Sequence, residues 1–194
     1  MSKSAQRTDL LALFYYLPVI LLLTLLKGFF VIGHLWLKDT HLVREVQLIP
    51  FNDFAGSATW FGPLFNVAGN AVLFVPFGIL TYLLLRSVRK SVLLGFVFSL
   101  AIELVQFAFA LGITDTDDLI LNTLGALFGA ALVKATGARM EKVWRWACLL
   151  FATFIYVLYL LGPRLGSEEK MTPVSQPVAD SAVSVVANSQ PAGR

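Results

Sequence analysis

The chain has 194 residues, of which 57% are hydrophobic and 14% charged, with a formal net charge of +3 and a mean hydropathy of +0.75. Soluble domains average about 25% charged residues, so these values exclude an ordinary soluble domain and indicate an integral membrane protein. No basic run or RNA-type motif points to nucleic acid, and the single Cys148, inside an apolar run, excludes an intramolecular disulfide.

Residues 1–37 read as an N-terminal transmembrane helix with a short cytoplasmic lead. Lys3 and Arg7 precede an apolar run from Leu10 to Leu26, as in a signal peptide, but no small-x-small cleavage site follows. Residues 38–133 form the core. It begins with a polar connection, Lys38 to Pro63, whose Pro, Gly, Asn and Asp residues suit turns and whose Trp60 suits an interfacial anchor. Within it, VQLIPF (46–51) is too apolar for a solvated loop and is expected to fold back onto the membrane surface or into the bundle mouth.

Three spans follow: Asn66–Leu85, Ser91–Leu111 and Asp118–Val133. The last has only fifteen residues from Leu119 to Val133, short of the ~20 that cross a bilayer. Either the bilayer thins there or the acidic start of the span lies in a solvated dip. Pro76 is expected to kink the first of the three and to free a backbone carbonyl. Residues 134–166 supply a basic loop and a fifth span, Trp144–Gly162. The tail, 167–194, is rich in Ser, Pro, Ala and Val without a helical stripe and reads as disordered.

The fold class implied is an all-α integral membrane protein, a bundle of about five transmembrane helices whose Phe-rich spans face lipid. Orientation comes from the connectors. Arg86, Arg89 and Lys90 crowd one loop and Lys134, Arg139, Lys142 and Arg145 another, whereas the loop between carries Asp115, Asp117 and Asp118. The positive-inside rule then puts the N-terminus and both basic loops in the cytoplasm, with the acidic turn and the C-terminus external.

Helical spacing gathers the polar groups. Gly95, Ser99, Glu103 and Gln106 share one face of the third span; Asp118, Asn122, Gly125 and Gly129 share one face of the fourth; Asn66 and Asn70 are a turn apart on the second. Stripes of small and amide residues let membrane helices approach and bond across the contact, so these three faces are expected to converge on a polar pocket. Glu103 stands eight residues before Leu111, ~12 Å along a helix. An isolated carboxylate at such depth costs at least ~2.5 kcal/mol, so it must be protonated, paired or hydrated.

The candidate pocket residues are therefore Glu103, Gln106, Asp115, Asp117, Asp118, Asn122, Asn66, Asn70 and, if the first connection closes over the mouth, Arg44. Their oxygens would suit Mg²⁺ or Ca²⁺, although no metal, phosphate-loop or nucleophile motif is present and no cofactor is identified. Each also has a plainer role. Aspartates at a helix start cap free amides, the Gly125–Gly129 pair serves packing, and the asparagines bond between helices.

Four segments taken together, LIPF (48–51), NVAGNAVLFVPFG (66–78), ELVQ (103–106) and DTDDLILNTLGALFG (115–129), resemble the VanZ-like membrane protein family in order and distance, over about residues 40–133. The pattern departs at Gln47, where the family usually has Asn, and at Ile113, where it usually has Arg. The resemblance implies a multi-pass protein of the bacterial cytoplasmic (inner) membrane, in a family associated with glycopeptide (teicoplanin) resistance. Three functions fit: a non-catalytic envelope protein binding a lipid, a lipid-linked wall precursor or a partner protein at the outward pocket; a metal-dependent enzyme on a lipid headgroup or lipid-linked phosphate; and a small proton-coupled transporter or flippase using Glu103.

Overall fold

The computed structural model describes residues 3–25, 43–51 and 61–165. Among them are five helices: α1 (Lys3–Leu25), α2 (Phe61–Leu85), α3 (Val88–Phe109), α4 (Thr116–Thr136) and α5 (Glu141–Leu165), the last preceded by a 3₁₀ turn, Ala138–Met140. All five are long and apolar enough to cross a membrane, as the apolar runs predict. The C-terminal tail from residue 166 and the segment 26–42 lie outside the described residues.

Local chemistry sets the boundaries. Only Arg86 and Ser87 separate α2 from α3, a connection so short that the two helices must be antiparallel neighbours. Ser87 caps α3 by accepting from the Lys90 N–H at 3.4 Å, and α3 ends at Ala110, a left-handed residue whose N–H returns to the carbonyls of Gln106 and Phe107. The predicted proline sites are met differently. Pro76 lies inside α2, and the Leu73 carbonyl, three residues earlier, accepts the Tyr16 hydroxyl of α1 at 2.7 Å. A helix interrupted by proline is thus supplied with a donor from its neighbour.

The core runs along α2. Phe74, Phe77, Leu80 and Leu83 are buried against Tyr16, Val19 and Ile20 of α1, and Phe77 stacks on Phe98 of α3 with centroids 5.2 Å apart. The expectation that the phenylalanines are lipid-facing is corrected here: Phe96, Phe107, Phe109 and Phe128 are exposed, but Phe74 and Phe77 are interior. Helices α2 and α4 approach at backbone distance. A methyl group on Gly125 would overlap the Ala71 carbonyl oxygen, one on Gly129 the Val75 carbonyl oxygen, and one on Gly78 the Ala126 carbonyl oxygen. The Gly125–Gly129 pair is therefore a packing seam, and Gly78 joins it from the other helix.

One feature departs from an all-helical reading. Val43–Gln47 forms strand β1 and Leu111–Asp115 strand β2, paired in parallel with Val43 opposite Leu111 and Gln47 opposite Asp115. Each strand has five residues, too few for alternation to stand out within apolar sequence. Backbone groups in a membrane need partners from the protein itself, and the ladder supplies them where the chain is not helical.

Candidate functional site

Glu103 lies fifteen residues after the start of α3 and six before its end, ~22 Å and ~9 Å along the axis. A hydrocarbon layer of ~30 Å matched to α3 therefore encloses it. After the reversal at Ala110, β2 runs back beside the last turns of α3 and brings the Asp115 N–H to Glu103 Oε2 at 3.0 Å. The Thr114 hydroxyl reaches the Glu103 carbonyl at 3.4 Å. The acidic turn is consequently level with Glu103. This corrects the expected order, in which Glu103 lay beneath an acidic turn at the surface. It also accounts for the short fourth span: α4 starts at Thr116, inside the bundle, and has 21 residues rather than fifteen.

From Glu103 the carboxylates form a relay of hydrogen bonds. Asp115 is the N-cap of α4, its Oδ1 accepting from the Asp117 N–H at 2.9 Å. Both oxygens of Asp117 share the Phe51 N–H at 2.9 Å, and the Thr116 hydroxyl donates to the Gln47 carbonyl at 3.2 Å. Asp118 Oδ1 accepts from Asn70 Nδ2 of α2. One turn further along the α3–α4 contact, Asn122 Nδ2 donates to Ser99 Oγ at 2.9 Å. Gln106, a turn beyond Glu103 in the other direction, donates to the Thr24 carbonyl of α1 at 3.1 Å.

Glu103, Gln106, Asp115, Asp117, Asp118, Asn122 and Asn70 are all buried, and the structure brings them into one seam bounded by α2, α3, α4 and the strand pair. The positive end of the α4 dipole lies among the aspartates and favours their charged forms. Of the remaining candidates, Arg44 occupies β1 opposite Gly112, and Asn66 precedes Asn70 by one turn of α2; the side chains of both lie outside the described part of the structure. Among the described residues, no three His, Cys, Asp or Glu side chains are grouped so as to hold a metal ion.

Two features of the site were not visible in the sequence. The first is the backbone of Phe51, which ties the apolar turn 48–51 to Asp117. That turn folds onto the bundle as its composition requires, yet Leu48 and Ile49 are 74% and 68% exposed and Phe51 is also exposed. The second is the pair of orphaned acceptors: Gln106 Oε1 and Asn122 Oδ1 are buried without a hydrogen-bond partner.

The opposite end of the bundle is built on charge. Asp9, fully buried in α1, accepts from Arg145 Nε of α5 at 2.6 Å, with Arg145 Nη2 at 2.5 Å. Beside it Arg86 clasps both oxygens of Glu141, and that hydrogen bonding raises the Arg86 pKa above its ordinary value. Asp9 carried no sequence signal, because a lone aspartate at the edge of an apolar run reads as part of the solvated lead.

The profile of the family described as VanZ/LLP1 matches residues 13–137. The chain is similar to Protein VanZ of Enterococcus faecium, at 30% identity over 120 residues, 61% of this chain and 70% of that protein. No solved structure matches. The matched interval contains the strand ladder, the acidic relay and the α2–α4 glycine seam.

Proposed function

Since the chain belongs to the VanZ/LLP1 family of membrane proteins, we propose that it is a non-catalytic protein of the bacterial cytoplasmic membrane that binds a lipid, a lipid-linked wall precursor or a partner at the acidic seam. On this reading the seam opens toward the external face, in line with the positive-inside rule, and occupancy modulates susceptibility to glycopeptides. The observation that carries the proposal is the joining of two unlike surfaces by one hydrogen bond. The Phe51 N–H holds Asp117, so an exposed apolar turn stands directly beside a buried set of carboxylates and amides. Such a junction suits an amphiphile, with chains along the turn and a polar head in the seam.

Native mass spectrometry of the purified protein, with and without Mg²⁺, tests this: a lipid-sized adduct that survives activation is expected, and its absence from wild-type protein under both conditions counts against binding. In cells, Glu103→Ala, Asp118→Ala and Asn122→Ala should abolish any envelope-antibiotic phenotype at unchanged protein level. Reporters fused at residues 88 and 114 should report cytoplasm and exterior respectively; the reverse result moves the seam to the inner face.

A further inference from the structure

We propose that the seam receives the primary ammonium group of an amphiphile, an inference that rests on the binding role above and names the chemistry of its head. The polar groups converging there are acceptors in excess. Glu103, Asp115, Asp117 and Asp118 are carboxylates, each able to accept about four hydrogen bonds. The donors reaching them include three backbone N–H groups, of Asp115, Asp117 and Phe51, and the Asn70 amide. Gln106 spends its amide N–H on the Thr24 carbonyl, which fixes its orientation and leaves Oε1 buried without a partner. Asn122 donates across the α3–α4 contact to Ser99, and its Oδ1, 99% buried by residue, is likewise unpartnered.

These two orphans are independent of the acidic cluster, and they flank it along the helix axis, one turn to either side of the Glu103–Asp118 level. Both are oxygens. A group that satisfies them must donate, and one that also sits well among carboxylates carries positive charge. A primary ammonium does both, with three N–H donors on one atom, whereas a phosphate brings only further acceptors and negative charge. The exposed Leu48, Ile49 and Phe51 beside Asp117 give the apolar part of the same molecule a surface to lie on. A quaternary ammonium keeps the charge but has no N–H, so headgroup methylation isolates the contribution of donation.

The test uses the wild-type full chain and three lipids with identical acyl chains: phosphatidylethanolamine, phosphatidylcholine and phosphatidylglycerol, each titrated in detergent and read by native mass spectrometry. Charge-assisted hydrogen bonds should favour the ethanolamine lipid over the choline lipid by roughly tenfold in Kd, with the glycerol lipid weakest. In Glu103→Gln and Asp118→Asn the preference should shrink to about twofold, and because the wild-type ranking is read first, loss of either variant to misfolding leaves the test intact. Equal binding of ethanolamine and choline lipids, or preference for the glycerol lipid, overturns the ammonium assignment while leaving lipid binding in place. No binding of any lipid overturns both. Free ethanolamine should compete poorly; competition at a concentration equal to that of the lipid would assign the seam to a soluble amine and overturn the amphiphile.

Discussion

Both ends of this bundle bury carboxylates, and they do so by opposite means. At the basic end Asp9 meets a guanidinium brought from α5, 136 residues away in sequence. At the acidic end Glu103 meets the backbone of Asp115, twelve residues on, and the next carboxylates are held by backbone N–H groups and a side-chain amide. The first arrangement holds two helices together and closes on itself. The second arises from one reversal of the chain, at Ala110, and leaves acceptors over. A closed ion pair suits a fastener; a surplus of acceptors beside an apolar turn suits a site.

The comparison can be broken most directly at its strongest contact. Arg145→Ala leaves the Asp9 carboxylate buried and uncompensated, and should cost about 3–5 kcal/mol, read as a large fall in the thermal aggregation midpoint in detergent. Asp9→Leu combined with Arg145→Met should recover most of that loss. By contrast Glu103→Gln keeps an oxygen facing the Asp115 N–H, and should cost no more than about 1 kcal/mol. Equal losses at the two ends would remove the distinction between fastener and site.

The next largest effect separates the ends through the seam between them. Gly129→Val forces a side chain into the Val75 carbonyl and should destabilise by about 1–3 kcal/mol or more. Gly69→Ala, in the same pair of helices but with open space around it, should be neutral or stabilising by up to about 1 kcal/mol. Because the valine pushes α4 from α2, it should also weaken lipid retention, while cross-linking between cysteines placed at positions 9 and 145 persists.

Asp115→Ala removes the α4 cap and should cost about 1 kcal/mol, with Asp115→Ser recovering most of it. If the serine restores stability without restoring lipid retention, the carboxylate serves the site and the cap separately. The smallest effect belongs to the exposed pair: Glu141→Ala, which releases Arg86, should change stability by less than about 1 kcal/mol and by still less in high salt.

Much of this was legible in the residues. Twenty-residue apolar runs are long-range order written locally, so the five spans could be located without knowing their neighbours. The spacing of Ser99, Glu103, Asn122 and Gly125 marked which faces would meet, because a helix repeats every 3.6 residues regardless of context. The strands were hidden for the converse reason. Five residues of β1 gain their hydrogen bonds only from β2, 68 residues later, and nothing inside VREVQ or LGITD reports that partner.

Sequence by itself therefore determined the membrane class, the number of spans and the stripe on which Glu103, Asp118 and Asn122 would lie. Tertiary structure alone decided that Asp115 returns to the level of Glu103, that Phe51 is fastened to Asp117, and that Asp9 belongs to Arg145. Hydrophobicity and helical period act through neighbours a few residues apart. A returning strand and a buried ion pair depend on which distant backbone or charge arrives, and only the folded chain brings them together.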